Sequence, residues 1–328
     1  MRVFMTGVTG FLGGRLARRV AEAGHEVRGL VREARRWRQK PENAEAIVGD
    51  VTDAAAVRDA ASGCDAVVHA AALVKMWAAD RRRFDRVNVQ GFTHVSEAAR
   101  AANARLVYVS SFIALGPTDG AVFDETTPRA TMELHNDYER TKWVADQMAR
   151  HLATRGFPIV RLYPGVIFGP GELTHGNHVV KLLLQQASGK LPGMLGSGDL
   201  RQCFAYVDDV VEGVLSALER AEAGSAYILG GENRTANELF AFFREASGVP
   251  EPRRKIPFAL ASAIGRWQRW RADWFGSDPE LTDEVVRIYR HEWAYSSARA
   301  ERELGYRITP FDEAMRRTVA WLRETGRL

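Results

Sequence analysis

Val3-Phe4-Met5-Thr6-Gly7-Val8-Thr9-Gly10-Phe11-Leu12-Gly13 is the stretch whose reading decides the fold. Its first three residues are a short apolar run that reads as a strand. Three glycines follow at three-residue spacing, and from Arg15 to Ala23 the pattern is helical. Strand, glycine-rich turn and helix in that order expose backbone N–H groups at a helix N-terminus, where a pyrophosphate can bind. Gly7 suits the tight turn, Gly10 a close approach of backbone to phosphate, and Gly13 close packing of helix on strand. The spacing G-x-x-G-x-x-G departs from the usual G-x-G-x-x-G, so the flanking strand and helix carry the assignment.

Outward from that turn, strands alternate with helical stretches. Strands are read at 27–31, 46–48, 66–69, 106–109 and 158–162, and helices at 84–102 and 138–155. That alternation predicts a doubly wound parallel sheet, an α/β fold of the Rossmann type. Past residue 170 the texture changes. Gly169-Pro170-Gly171 and 189–198 are loop-rich, one short strand lies at 226–229, and helices dominate from Thr235 onward. The expected division is a dinucleotide-binding domain over 1–170 and a smaller, mostly helical substrate domain over 171–328, with some exchange of chain between them. Ligands of open α/β sheets bind beyond the carboxyl ends of the strands. Gly7, Arg32, Asp50, Ala70, Ser111 and Pro164 all fall there.

Composition narrows the class. With 328 residues, 46% hydrophobic and 26% charged, the chain matches an ordinary globular protein. Two cysteines, Cys64 and Cys203, are too few for a disulfide framework and lack metal-ligand spacing, so no metal is expected. The net charge is +4, but its arginine clusters accompany no nucleic-acid motif, and nucleic acid is not an expected partner. No apolar run is long enough to span a bilayer and no signal-peptide pattern is seen, so a cytoplasmic setting is expected.

One pair of residues suggests chemistry. Tyr138-Glu139-Arg140-Thr141-Lys142 sets a phenol and an ammonium four apart on one helix face. A phenol with an ordinary pKa of about 10 is a poor base at neutral pH, and a nearby cation favours its ionised form. Of the eight tyrosines, Tyr138 alone has a lysine four positions on.

With these residues in hand, the chain resembles the extended short-chain dehydrogenase/reductases. The resemblance rests on the turn Thr6 to Gly13, the Tyr138/Lys142 pair, the serines Ser110-Ser111, Asn88 in Val87-Asn88-Val89, the run Arg161 to Pro170, and Tyr206-Val207-Asp208-Asp209-Val210. It covers essentially the whole chain. Within that superfamily, Ser110 to Gly116, Leu162 to Gly171 and Tyr227 to Asn233 are most similar to dihydroflavonol-reductase-like and farnesol-dehydrogenase-like proteins.

The resemblance implies roles. Tyr138 is the expected general acid/base, and Lys142 holds the nicotinamide ribose and lowers the tyrosine pKa. Ser111 binds the substrate oxygen, and Asn88 anchors a proton path or bonds to backbone. The cofactor is expected to meet Gly7, Thr9, Gly10, Phe11, Leu12 and Gly13, Arg32 beside the adenosine ribose, Asp50 and Val51 at the adenine, and Ala70-Ala71-Ala72. Beyond these it meets Tyr138, Lys142, and Tyr163-Pro164-Gly165-Val166. Arg32 suits a 2′-phosphate, which favours NADP. Glu33 could instead reach a ribose diol, which leaves NAD open.

The substrate expectations are weaker in pattern. Leu73, Met76, Trp77 and Phe112 sit in loops that would border the nicotinamide as an apolar wall. Arg201 is either a diphosphate clamp or a surface arginine. An apolar wall favours hydride transfer to or from an apolar alcohol or carbonyl. The alternatives are a sugar-nucleotide epimerase with tightly held NAD(P), and a non-enzymatic nucleotide sensor. The stretch 258–275 interleaves tryptophans and phenylalanines with arginines, and either rests on a membrane interface or packs on its own domain. By resemblance, 84–102 and 138–155 are the expected contacts of a homodimer.

Overall fold

The computed structural model describes residues 1–75, 77–275, 279 and 281–328. The described residues form twelve strands: β1 (Arg2–Thr6), β2 (Glu26–Val31), β3 (Ala44–Val48), β4 (Ala66–His69), β5 (Arg105–Val109), β6 (Ile159–Pro164), β7 (Val166–Phe168), β8 (Met194–Leu195), β9 (Arg201–Tyr206), β10 (Ala226–Leu229), β11 (Asn233–Thr235) and β12 (Lys255–Ile256). Seven form one sheet in the order β10-β6-β5-β4-β1-β2-β3, and every pairing in it is parallel. The winding direction reverses at β1, which lies between β2 and β4. That reversal opens a crevice beyond the carboxyl ends of β1 and β4.

Both faces of the sheet are covered, which is why its strands read as continuous apolar runs. Strand alternation splits β1 between two cores. Val3 and Met5 pack with Leu16, Val20, Val210 and Val214 of helices Phe11–Glu22 and Val207–Arg220. Phe4 packs on the opposite side with Val57, Phe92, Val95 and Ala145. The fold is therefore the α/β doubly wound sheet expected, followed by a mainly helical C-terminal region.

The chain crosses between the two regions. After β6 it builds a three-stranded sheet, β11-β9-β7. It then returns through helix Val207–Arg220 to β10, which pairs with β6 in the main sheet.

Three local differences from the sequence reading have physical causes. The first helix starts at Phe11, not Arg15, because glycines 13 and 14 hide a helical turn from any propensity argument. The stretch 84–102 is not one α-helix. A short turn at Arg82–Phe84 leads into a π-helical run, Asp85–Gln90, before helix Gly91–Ala101. Asn88 sits in that run with its side chain drawn out of the helix. Strands β7, β9 and β11 escaped notice among glycine-rich connections. Cys64 and Cys203 are both buried and free.

Candidate functional site

The glycine turn forms the floor of the crevice. Gly7 has φ +80, and a Cβ there would lie 2.8 Å from the main chain of Ala70 and Ala71. A Cβ on Gly13 would fall 2.1 Å from the Gly7 carbonyl oxygen. Helix Phe11–Glu22 is capped by Gly10 with no side-chain hydrogen bond, and no acidic residue stands in its first turn. Its leading N–H groups thus meet neither a side-chain cap nor an acid, a cradle suited to an anion. The donor set fits the pyrophosphate of a dinucleotide, held by the amides of Phe11, Leu12 and Gly13 beside Thr9.

The loop leaving β4 is tied to this turn. Thr6 Oγ1 accepts from the Ala71 N–H at 3.1 Å and lies 2.8 Å from Nδ1 of His69. Burial lowers the His69 pKa to about 3, so the ring is neutral, and it stacks on Tyr108. His69 did not stand out in the sequence, since a lone histidine ending a strand carries no spacing signal. Asn88 fixes the same loop from the other side. Its Oδ1 accepts from the Leu73 N–H at 2.7 Å, and its Nδ2 donates to Thr141 Oγ1 at 2.9 Å. Asn88 therefore couples the loop after β4 to the helix that carries Tyr138, rather than bonding within its own helix.

That helix, Asp137–Thr154, is capped by Asn136, whose Oδ1 accepts from the Glu139 N–H at 2.8 Å. Glu139 is fully buried, pairs with the buried guanidinium of Arg129, and accepts from the His135 N–H at 2.8 Å. This anchoring fixes the first turn, and with it Tyr138. Nothing in the sequence spacing links Arg129 to Glu139.

The Ser111 hydroxyl lies near the Tyr138 phenol and favours its ionised form. Ser111 also caps the turn Phe112–Ala114. It is Ser111, at the carboxyl end of β5, that meets the phenol. Lys142 is buried, donates to the Val109 carbonyl at 3.2 Å, and lies 5.4 Å from the centroid of the Tyr108 ring.

The electrostatics correct one expectation. Burial pushes the Tyr138 pKa up to about 12, offset in part by Ser111. The ammonium is itself desolvated: burial lowers Lys142 to about 8, with Asp146 acting in the opposite direction. In the chain alone, Tyr138 therefore keeps its proton at neutral pH.

A test of stability follows. Between pH about 8 and the ordinary lysine value of 10.5, the unfolded chain holds the Lys142 proton and the folded chain does not. Stability gained by releasing that buried charge grows as pH rises through this window. Lys142→Met is expected to be more stable than the parent at neutral pH by about 1–3 kcal/mol. Chemical denaturation at stepped pH should show the gap closing between pH 8 and 10.5. A gap independent of pH would remove the buried-charge explanation.

Around the ribose end, Arg32 is exposed and pairs with no acid among the described residues. Glu33 is engaged by Arg35 at 2.8 Å and Arg36 at 2.9 Å. Asp50 accepts from the N–H and Oγ1 of Thr52 at the end of β3, and Val51 beside it is buried. Tyr163 is fully buried, and its hydroxyl accepts from Arg150 at 3.2 Å, so any part it takes at the crevice falls to its main chain. Pro164, Gly165 and Val166 carry the chain from β6 into β7 at the crevice edge.

The substrate-side residues divide. Leu73 and Phe112 share one apolar cluster with Tyr138, Trp293 and Tyr295. Trp77 is half-buried, and Met76 lies outside the described residues. Arg201 is not a free clamp. Its Nε and Nη2 donate to both oxygens of Glu292 at 2.9 Å, and this pairing holds Glu292 down to about 2. Phe112 also touches a second apolar cluster containing Val166, Val179, Phe204 and Leu239. These four line a pocket completed by His178, Leu182, Leu200, Gln202, Phe258 and others, with no lysine, arginine or carboxylate in its wall. Burial keeps His178 neutral, with a pKa of about 4. The pocket escaped the sequence reading because its residues come from six separated segments without a shared period.

Comparison with known proteins agrees with this architecture. The family model for the NAD dependent epimerase/dehydratase family matches residues 3–230. The chain is similar to sterol demethylase protein B of Methylococcus capsulatus, 31% identical over 99% of each chain. It is also similar to a Synechocystis protein named for dihydroflavonol 4-reductase, 29% identical over 98% of this chain and 95% of the other. Among solved structures, gox2253 superposes with a TM-score of 0.83 at 32% identity, covering 100% of this chain and 99% of that one. MoeE5, solved with UDP-glucuronic acid and NAD, shares the fold at 22% identity and a TM-score of 0.77, over 99% and 100% of the two chains. With the glycine cradle, the Ser111–Tyr138 contact and a match over two-thirds of its length, the chain belongs to the NAD-dependent epimerase/dehydratase family and is an oxidoreductase of the extended short-chain type.

Proposed function

We propose that this oxidoreductase moves a hydride between NADP and an apolar alcohol or carbonyl. The observation that carries the reading is a pocket free of cationic side chains whose apolar cluster reaches Phe112, the neighbour of Ser111. A nucleotide sugar brings a diphosphate, and Arg201, the one arginine the sequence offered for it, is already neutralised by Glu292. Sterol, flavonoid or terpenoid-like carbonyls suit such a wall better.

When bound, the nicotinamide supplies or accepts the hydride. The chain does the rest. Ser111 holds the substrate oxygen and stabilises charge developing there. Tyr138, protonated at neutral pH, gives its proton to that oxygen in reduction and takes it back in oxidation. Lys142 holds the ribose and supports the phenolate left behind. Asn88 and Thr141 fix the loop and helix that frame the site. Leu73, Trp77 and Phe112 wall the reacting end.

Preference for NADP is supported by the exposed Arg32 and by the engagement of Glu33 with two other arginines. Arg32→Ala is expected to weaken NADP binding roughly 10- to 100-fold, the worth of charge-assisted hydrogen bonds to a phosphate, and to leave NAD binding nearly unchanged. Calorimetric titration with both nucleotides checks this. Equal losses for the two would place the 2′ position elsewhere.

The functional test is reduced-cofactor consumption with a panel of apolar ketones and aldehydes against UDP- and dTDP-sugars. Turnover confined to the sugars, with nucleotide retained through purification, would replace this reading with the epimerase. The same reading carries a cytoplasmic setting and a homodimer joined through 84–102 and 138–155, the latter checked by light scattering.

A further inference from the structure

Among the described residues, nine large apolar side chains are exposed, and five of them stand on one helix. These are Leu260, Ile264, Trp267, Trp270 and Trp274 of helix Phe258–Phe275. Their spacing of three and four residues sets them along one side. The three tryptophans are 56%, 55% and 74% exposed, too open for a stripe that packs on its own domain. The opposite side is already in use. Ala261, Ser262 and Ala272 are buried, and a Cβ on Gly265 would lie 2.5 Å from the Asp283 nitrogen, so the helix is pressed onto its neighbour there. The Phe275 side chain lies outside the described residues.

The charges around this face are mostly positive. Arg253, Arg254 and Lys255 are exposed just before the helix, and Arg266 and Arg271 are exposed on it. Arg271 lies over the Trp267 ring, 5.2 Å from its centroid. Arg269 is spoken for by Glu284 at 2.7 Å. Asp273 is the exposed acid of the helix. Tryptophans backed by arginines suit the headgroup region of a bilayer, where rings sit among acyl carbons and guanidinium groups meet phosphates. A second copy of the chain would bring the same cations to the same face, so a two-fold contact would set like charges against each other. No helix among the described residues is long and apolar enough to cross a membrane, so the contact is one of lying on the surface.

We infer that the tryptophan face of helix Phe258–Phe275 docks on an anionic lipid surface. The same helix begins with Phe258, which lines the apolar pocket and lies under the Arg290 guanidinium at 5.7 Å. Docking therefore sets the pocket behind the helix that rests on the bilayer, where an apolar substrate collects. That last step rests on the proposed apolar substrate; the docking itself does not.

Co-sedimentation with phosphatidylcholine vesicles, with and without phosphatidylglycerol, tests the inference, alongside tryptophan emission. Expected are binding to the anionic vesicles with a blue-shifted emission, at least tenfold weaker binding to the neutral ones, and release by added salt. A Trp267→Ser/Trp270→Ser/Trp274→Ser variant should lose the binding while keeping its melting profile and its turnover of a water-soluble carbonyl. Arg266→Gln/Arg271→Gln should lose only the preference for anionic lipid. No binding to either vesicle, or binding that survives the tryptophan variant, would overturn the inference. So would a dimer that the tryptophan variant converts to monomer without any vesicle binding. Turnover of the soluble carbonyl is read separately, so loss of docking and loss of the oxidoreductase reading cannot be confused.

Discussion

Tyr138→Phe is expected to lower turnover by roughly 10²–10⁴-fold, the span of general acid–base catalysis, while nicotinamide dinucleotide binding is retained. The substitution removes one oxygen and keeps the ring in its buried place. The helix beneath it is fixed by groups the change does not touch: the Asn136 cap, the Arg129–Glu139 pair and the Asn88–Thr141 contact. Ser111 keeps its role as acceptor for the Ile113 N–H. What is lost is the proton that burial holds on the phenol. The melting temperature should therefore change little, and the loss should appear in kcat more than in KM. A variant that turns over like the parent would end the role given to Tyr138. A variant that loses dinucleotide binding would show that the hydroxyl holds cofactor rather than moving protons.

Gly13→Ala is expected to be as damaging by a different route. The new methyl would lie 2.1 Å from the Gly7 carbonyl oxygen and 2.7 Å from its carbon. Gly7 has little room to retreat, because a Cβ on it would already lie 2.8 Å from the main chain of Ala70 and Ala71. The helix must then lift from the turn, at a cost of about 1–3 kcal/mol for overpacking. The amides that would hold the pyrophosphate move with it, and a shift of about 1 Å costs on the order of 10²-fold in a positioned contact. Gly14→Ala is the control. Its methyl has nothing nearer than the Val8 carbonyl at 3.4 Å, and replacing a helical glycine by alanine adds about 0.5–1 kcal/mol. Thermal melts and dinucleotide titration of the two variants should diverge. Similar behaviour would mean that the glycine spacing does not serve the cofactor.

Sequence made the framework legible where a local rule had one reading. The apolar runs of β1, β4 and β10 were visible because a strand covered on both faces has no polar side to interrupt it. The glycine turn and the Tyr138/Lys142 pair were visible because each is a fixed spacing within one segment. What escaped were relations across segments. Lys142 four residues from Tyr138 suggested an acidified phenol, yet burial of both groups outweighs their proximity and leaves the phenol protonated. Arg201 read equally well as clamp or surface residue until Glu292, ninety-one positions away, proved to hold it. The pocket wall draws on β7, the helix at His178–Ala187, the stretch from Leu195 to Phe204 and three later segments, so no window of sequence displayed it. Helix 258–275 showed its composition but not which side faces out, since tryptophan and arginine alternate too closely for a clean stripe.

The account turns on where one hydride and one proton go. Purified protein supplied with NADPH deuterated at the transferable position, and offered an apolar ketone, should yield an alcohol carrying one deuterium on carbon, together with one equivalent of free NADP. Mass spectrometry of product and nucleotide reads both, and the Tyr138→Phe variant should form almost none. The contradicting result is an unlabelled ketone with nucleotide still bound to the protein, and a nucleotide sugar interconverted with no net change in the cofactor.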